Sequence, residues 1–417
     1  FNLVDTTVAV TATIDGGEGG ETAGDTVVGA AAAGNTITVN SADNVTVAVT
    51  AGTGTFTASN VENATGGSQA DEFVFADGAT LGGTVSGGAG TDTLNLSAHA
   101  STTDTALNTT LTGVDADNGF AGSVVTGGAV TVTGFTGIDA LVGSADDGAG
   151  NDLGGDTTAV TDTLTGQNAD SFVAVTGAGS GPYDDDDGVP GITAAELAFS
   201  DVEALQGGDQ VDTFDIATDF GGSIAGGAGN DVFDFSGGDA TTVSGDDDDD
   251  EFNLVNTTQV VAAAIDGGAG TNTVNGLATA ANTFTVNSAN NVTVLATGDT
   301  GTFTASNVQN ATGGSQADEF SFAAGGSLGG SVNGAGGIDE LDVAGAAAVT
   351  VNLGSSSATV LNGGNTDGFS SIERFTGNGT TDVLVATGGA DIFVTTDVND
   401  GTVAGVTYTD FANISGG

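Results

Sequence analysis

The stretch Gly226-Gly227-Ala228-Gly229-Asn230-Asp231-Val232-Phe233-Asp234 decides how this chain is read. Its glycines let the backbone turn through positive φ and bring carbonyl oxygens inward. Asp231 adds a hard carboxylate oxygen, the donor type that Ca²⁺ prefers. Phe233 then points the opposite way, into the core of a short strand. A second full copy of the pattern reads Gly87-Gly88-Ala89-Gly90-Thr91-Asp92-Thr93-Leu94-Asn95.

Working outward, the Asp-x-apolar step recurs. Asp212/Phe214, Asp231/Phe233 and Asp250/Phe252 follow one another at 19-residue intervals. Asp71/Phe73 and Asp92/Leu94 are 21 apart, as are Asp318/Phe320 and Asp339/Leu341. A period near 20 fits a coil of turn, strand, turn, strand that buries its apolar face only by stacking on the next coil. The expected fold is all-β: a parallel β-solenoid or β-roll with coils of about 20 residues and Gly/Asp-rich turns.

A longer repeat overlies the short one. Gly54–Phe73 and Gly301–Phe320 are identical at 19 of 20 positions, differing only at Glu62 and Gln309. Phe1–Val4 matches Phe252–Val255, and the offset changes from 251 to 247 after Ile14. Residues 1–98 and 252–345 therefore read as two copies of one module. Residues 201–251 read as further β-roll coils, and 346–417 as more solenoid. Residues 99–200 read as irregular solenoid with loop insertions. There Pro182–Pro190 encloses an acidic run that reads as a surface loop, and Ile192–Leu197 as one helical turn. An aromatic residue followed by a Val/Ile-acid pair recurs at Phe56…Val61-Glu62, Phe135…Ile138-Asp139, Phe199…Val202-Glu203 and Phe369…Ile372-Glu373, with Val308-Gln309 as an amide version. Both ends look cut from a longer array, which places any export signal outside this sequence.

The chain has 417 residues, 55 Asp and Glu against one Lys or Arg, and a formal charge of −54. Phosphate recognition needs cationic side chains, so nucleic acid is excluded as a partner. Anionic membrane surfaces are disfavoured, and no apolar run is long enough to span a bilayer. Divalent cations are invited, because unneutralised like charge opposes a compact state. Cysteine is absent, which removes disulfides and thiolate metal sites. One histidine, His99, supports no catalytic triad and reads as a surface residue. Arg374 reads as a local ion pair with Glu373. The chain is not expected to be an enzyme.

The expected calcium ligands are Asp92 and Asp231 with Gly88, Gly90, Gly227 and Gly229 of their turns, joined by Asp212, Asp250, Asp71, Asp318 and Asp339 in tandem turns. In the turns with Gln69, Gln210 and Gln316 in place of the later glycine, an amide takes over a ligand role or no metal binds. Such turns also close without metal, the Asp accepting backbone N–H groups. Asn272 stands where Asp is expected, so its turn should bind weakly or not at all. The run Asp184–Asp187 reads as solvated, whereas Asp246–Asp250 is left open between a loose cation site and a solvated face.

With its two complete Gly-Gly-Ala-Gly-x-Asp motifs the chain resembles the repeats-in-toxin proteins, secreted bacterial calcium-binding β-rolls. The aromatic-to-Val-Glu units resemble those of large bacterial surface adhesins and surface-layer proteins. The resemblance implies Ca²⁺ as cofactor, export, and folding outside the cell. The resulting expectation is a structural segment of a large extracellular bacterial surface protein that self-associates into a rod, filament or layer. The alternative is an adhesin stalk, or a carbohydrate-binding solenoid attached to an enzyme, with surface polysaccharide as partner. Only Tyr183 and Tyr408 supply rings for sugar stacking beyond phenylalanine.

Overall fold

The computed structural model describes all residues except 5, 18–23, 100–105, 115–118, 128, 145–160, 186–195, 257–259, 298–300, 390 and 417. Among the described residues there is no α-helix, and the one helical element is a 3₁₀ turn at Asn362–Gly364. The strands form long, mostly parallel sheets. The chain divides into two compact units, Phe1–Asp212 with Phe220–Ile224, and Thr213–Asp219 with Ala225–Gly417.

In the second unit one row of inward residues runs through successive parallel pairings: Phe214, Phe233, Phe252, Val274, Ala311, Val332 and Phe369. All seven are buried. The rings of Phe214, Phe233 and Phe252 lie nearly parallel, with centroids 5.2 and 5.0 Å apart. That spacing follows from the interstrand distance, since residues in parallel register repeat every ~4.8 Å across a sheet. A second row passes through Phe284, Phe320, Leu341, Phe375 and Tyr408. The first unit has its own row, Ile37, Phe73, Leu94, Leu141 and Phe199. Period-2 alternation places each row inward while the residues on either side face out.

The two module copies share an element that the period does not contain. Asn35–Ser41, Asn44–Val49 and Thr55–Ser59 form a three-stranded antiparallel meander, and Asn282–Ser288, Asn291–Ala296 and Thr302–Ser306 repeat it. In each, the first strand rejoins the parallel stack, on Glu72–Phe75 and on Glu319–Phe322. Asp43 and Asn290, at the tips, adopt positive φ, which Asp and Asn tolerate because their side chains bond locally.

Several local expectations are corrected. Pro182, Tyr183 and Asp184 belong to a strand, Gly181–Asp184, paired antiparallel with Ser171–Val175 and Glu196–Ser200. Tyr183 is buried there, its hydroxyl accepting from the Gln167 N–H, so a core anchor overrides the loop signal of the prolines. Asp184 is likewise buried rather than solvated. Glu196 and Leu197 open a strand, not a helical turn; Asp186–Ala195 lie outside the described residues. His99 is buried, with ring nitrogens 3.1 Å from Ala76 O and from Thr126 Oγ1 and its ring edge-on to Phe75. Arg374 pairs with Glu340 at 3.4 Å, because parallel register sets these two side by side.

Phe233 is fully buried and stacked on both faces. Phe233→Ala should destabilise by about 3–5 kcal/mol, the range for a large buried aromatic. Urea unfolding measures this, and a loss under about 1 kcal/mol would show that the row contributes little.

Candidate metal centre

Many of the strands that carry an inward row start at or just after one buried polar residue, two positions before the inward side chain. These residues are Asp71, Asp92, Asp212, Asp231, Asp250, Asp318 and Asp339, all expected from sequence, together with Asn35, Asn272, Asn282, Asp162 and Asp382. They join neighbouring turns through one repeated hydrogen bond. The backbone N–H of one donates to Oδ1 of the next: Asp71 to Asp92 at 2.8 Å, Asp231 to Asp250 at 2.9 Å, Asp250 to Asn272 at 2.8 Å and Asp318 to Asp339 at 2.7 Å. The partners are 19 to 22 residues apart in sequence. Where a meander intervenes the separation is 36, as for Asn35 to Asp71 and Asn282 to Asp318.

The recurrent Val/Ile-acid pair completes this system. Its aliphatic member is buried, and its polar member accepts the N–H of a turn residue that no other turn reaches. Asp25 donates to Glu62, Asp92 to Asp139, Asp162 to Glu203, Asn272 to Gln309 and Asp339 to Glu373. The sequence displayed the pattern, but its role depends on register between segments 34 to 47 residues apart.

The second side-chain oxygen separates the turns into classes. In one class the residue four positions earlier has ordinary φ, and its N–H turns inward to cap Oδ2. Gly67 caps Asp71, Gly208 caps Asp212, Gly314 caps Asp318 and Asn378 caps Asp382. Ser171 also bonds Asp212. In the other class that residue is left-handed: Gly88 at φ 92°, Gly227 at 106°, Asp246 at 71°, Gly268 at 77° and Ala335 at 62°. Its N–H is then turned away. Oδ2 of Asp92, Asp250 and Asp339 is buried and meets no donor. Asp231 sits in a turn of the same class. This division follows the motif: the Gln69, Gln210 and Gln316 turns are capped by their own backbone, and the full Gly-Gly-Ala-Gly turns have a left-handed glycine at that position.

Asn272 identifies what surrounds the open oxygens. Its turn is also left-handed, and its Nδ2 donates to Gly267 O at 2.7 Å, Ala269 O at 3.2 Å and Asn307 O at 3.1 Å. The place is therefore ringed by carbonyl acceptors. A methyl group on Gly267 would collide with Asn272 Nδ2 and Asn307 O; one on Gly245 would collide with Asp250 Oδ2 and Gly267 O, and one on Gly334 with Asp339 Oδ2 and Ser371 O. In the Asp turns a carboxylate oxygen takes the place of an N–H donor beside a carbonyl. That arrangement calls for a proton or a cation between the oxygens. Among the described residues no three carboxylate or imidazole groups converge, so an ion held here takes most of its ligands from backbone carbonyls. The donor set of one carboxylate with several carbonyls is oxygen only and suits Ca²⁺. Asp247–Asp249 of the acidic run are exposed, and only Asp250 is drawn inside.

Burial pushes the Asp92 carboxyl up to about 6, with the Asp71 N–H opposing and the charges of Asp71 and Asp139 adding. Burial raises Asp250 to about 7, opposed by the Asp231 N–H and helped by Asp246, Asp248 and Asp249. Burial also raises Asp212 to about 6 against its bonds from Ser171 and Gly208. The chain matches no protein-family model and no curated protein.

Two outcomes are expected. Carboxyls with folded values above the unfolded value of about 3.9 bind more protons when folded, so the metal-free chain loses stability as pH rises from about 4 to 7. In chelator the melting temperature should be higher at pH 5 than at pH 8, and calorimetry giving the reverse order would count against these buried carboxyls. Ala335 occupies a left-handed position filled by glycine in three sister turns, at a cost of roughly 1–2 kcal/mol. Ala335→Gly should raise stability by about 1 kcal/mol in urea unfolding, whereas a destabilised variant would mean that the Ala335 methyl packs favourably.

Proposed function

We propose that this chain is a structural, calcium-stabilised β-solenoid segment of a large secreted bacterial surface protein, contributing to a rod, filament or surface layer. The parallel rows of stacked residues, with turn residues recurring every 19 to 22 positions outside the meanders, support the solenoid reading. The observation that carries the calcium reading is the set of buried, donorless carboxylate oxygens of Asp92, Asp250 and Asp339, each in the turn class that Asn272 fills with an N–H. Asp231 follows a turn with the same left-handed glycine position.

Calcium bound in these turns supplies the positive charge that carboxylate and carbonyls lack. The chain's own residues do the rest. Left-handed glycines aim the carbonyls, and the lateral N–H to Oδ1 bond fixes each carboxylate. The first glycine keeps the place free of a side chain. Because each turn shares its oxygens with the next, an ion there links one coil to its neighbour. A surface outside the cell is where calcium is plentiful enough to fill weak sites, which fits the export that the family resemblance implies. Self-association is the partner proposed, since two chains of charge −54 approach only when cations screen or bridge them. The alternative of a sugar-binding module gains nothing from the tyrosines, both of which are buried.

Titration calorimetry with Ca²⁺, paired with circular dichroism melting in calcium and in chelator, tests the reading. Calcium uptake and a clear rise in melting temperature are expected. Asp92→Asn and Asp250→Asn should each lower the number of ions bound while leaving the chelator melt no worse. An identical melt with and without calcium would show that these aspartates only close turns.

A further inference from the structure

The single difference in the 20-residue duplicated stretch is Glu62 in one copy against Gln309 in the other. Its hydrogen-bond partner changes in the same sense. Glu62 Oε2 accepts the N–H of Asp25, and Gln309 Oε1 accepts the N–H of Asn272. Asp25 Oδ2 lies against the first glycine of its turn, Gly16, beside Asn60 O, in the relation Asn272 Nδ2 has to Gly267 and Asn307 O. Two acidic residues joined by a backbone N–H in one copy are thus two amide residues joined the same way in the other.

In the second unit the amide at Asn272 leaves that turn without an open carboxylate oxygen, and the turns that follow it are satisfied by protein donors. Asn272 Oδ1 accepts from Asp250 N, and its Nδ2 donates to three carbonyls. In the next such turn Asn282 Oδ1 accepts from Leu277 N, while Nδ2 donates to Leu277 O at 3.1 Å, Ala280 O at 3.0 Å and Asp318 Oδ1 at 2.8 Å. Asp318 Oδ2 is capped by Gly314 N at 2.6 Å. On either side, at Asp250 and Asp339, the open oxygens return.

From this alternation we infer that the strands Ala264–Asp266, Thr273–Asn275, Asn282–Ser288, Asn291–Ala296, Thr302–Ser306, Asn310–Thr312 and Glu319–Phe322 form a metal-independent clamp set between metal-dependent turns. It stays folded when divalent cations are withdrawn, and the neighbouring turns through Asp231 and Asp250 order on it when cations return. The inference rests on the calcium reading above. It adds that the dependence is local and is written in which turns carry amides.

Hydrogen exchange read by mass spectrometry on the intact chain, in calcium and then in chelator, separates the two claims. The amides of Thr273–Asn275, Asn282–Ser288 and Asn310–Thr312 should keep their protection in chelator. Those of Val232–Phe235 and Glu251–Leu254 should exchange at least tenfold faster. If all these strands lose protection together, the clamp is overturned and the calcium reading stands. If none changes, the calcium reading falls and the clamp with it. Two variants sharpen the result. Asn272→Asp should make Thr273–Asn275 chelator-sensitive, and Asp250→Asn should make Glu251–Leu254 chelator-resistant. Sensitivity unmoved in both would overturn the assignment of the clamp to the amides.

Discussion

The structure depends on the hydrogen bond from the backbone N–H of one turn residue to the side-chain oxygen of the next. Parallel strands have no hairpin to fix their register, and a slip of one residue would turn an entire apolar row outward. The bond from Asp231 N to Asp250 Oδ1 removes that freedom, because only one alignment brings a buried acceptor to a buried donor. It also imposes a requirement. A carboxylate drawn into the turn has a second oxygen, and burying it without a partner costs more than the first bond returns. The turn classes are the ways this chain meets that requirement: an inward N–H, an amide in place of the acid, or an oxygen left for a cation.

The aromatic rows depend on the same alignment. Phe214, Phe233 and Phe252 stack with nearly parallel rings because their turns are locked at equal spacing, 19 residues apart. Row and turn residue are only two positions apart in sequence, so a single Asp-x-Phe step fixes both faces of a strand. The antiparallel meanders leave this arrangement undisturbed. Asn35 still meets Asp71, and Asn282 still meets Asp318, across 36 residues. An insertion is tolerated when its two ends return to neighbouring places in the stack.

Much of this was legible in the sequence, and for a physical reason. A glycine that must adopt positive φ and an aspartate that must point inward are both local demands, and they leave a local signature. The turns at Asp92 and Asp231 could therefore be read directly, as could the inward direction of Phe73, Phe214, Phe233, Phe252 and Phe320. What escaped depends on distant partners. The meanders keep the same alternation as the stacked strands, so Thr36-Ile37-Thr38-Val39 does not reveal whether its neighbour runs parallel or antiparallel. Tyr183 and His99 looked like surface residues because their polar partners, Gln167 N in one case and Ala76 O and Thr126 Oγ1 in the other, lie 16 to 27 residues away. Asp382 was missed because Asn378 stands at the second glycine of its turn, and there Asn378 N supplies the cap itself.

The near-identity of the two module copies has a consequence for how the chain finds its fold. Strands Asn63–Gly67 and Asn310–Thr312 come from segments that differ at one side chain, and each stacks on a parallel neighbour through its backbone. To a docking strand the two surfaces are nearly degenerate, so contact energy does little to choose between them. Proximity along the chain does the choosing, since the shorter loop closes with the smaller loss of entropy. The one differing side chain of the duplicated stretch, Glu62 or Gln309, accepts a backbone N–H in both copies, from Asp25 and from Asn272. Since that bond needs only a backbone N–H and a side-chain oxygen, it forms with either copy, and closeness along the chain is left to keep two nearly interchangeable halves apart.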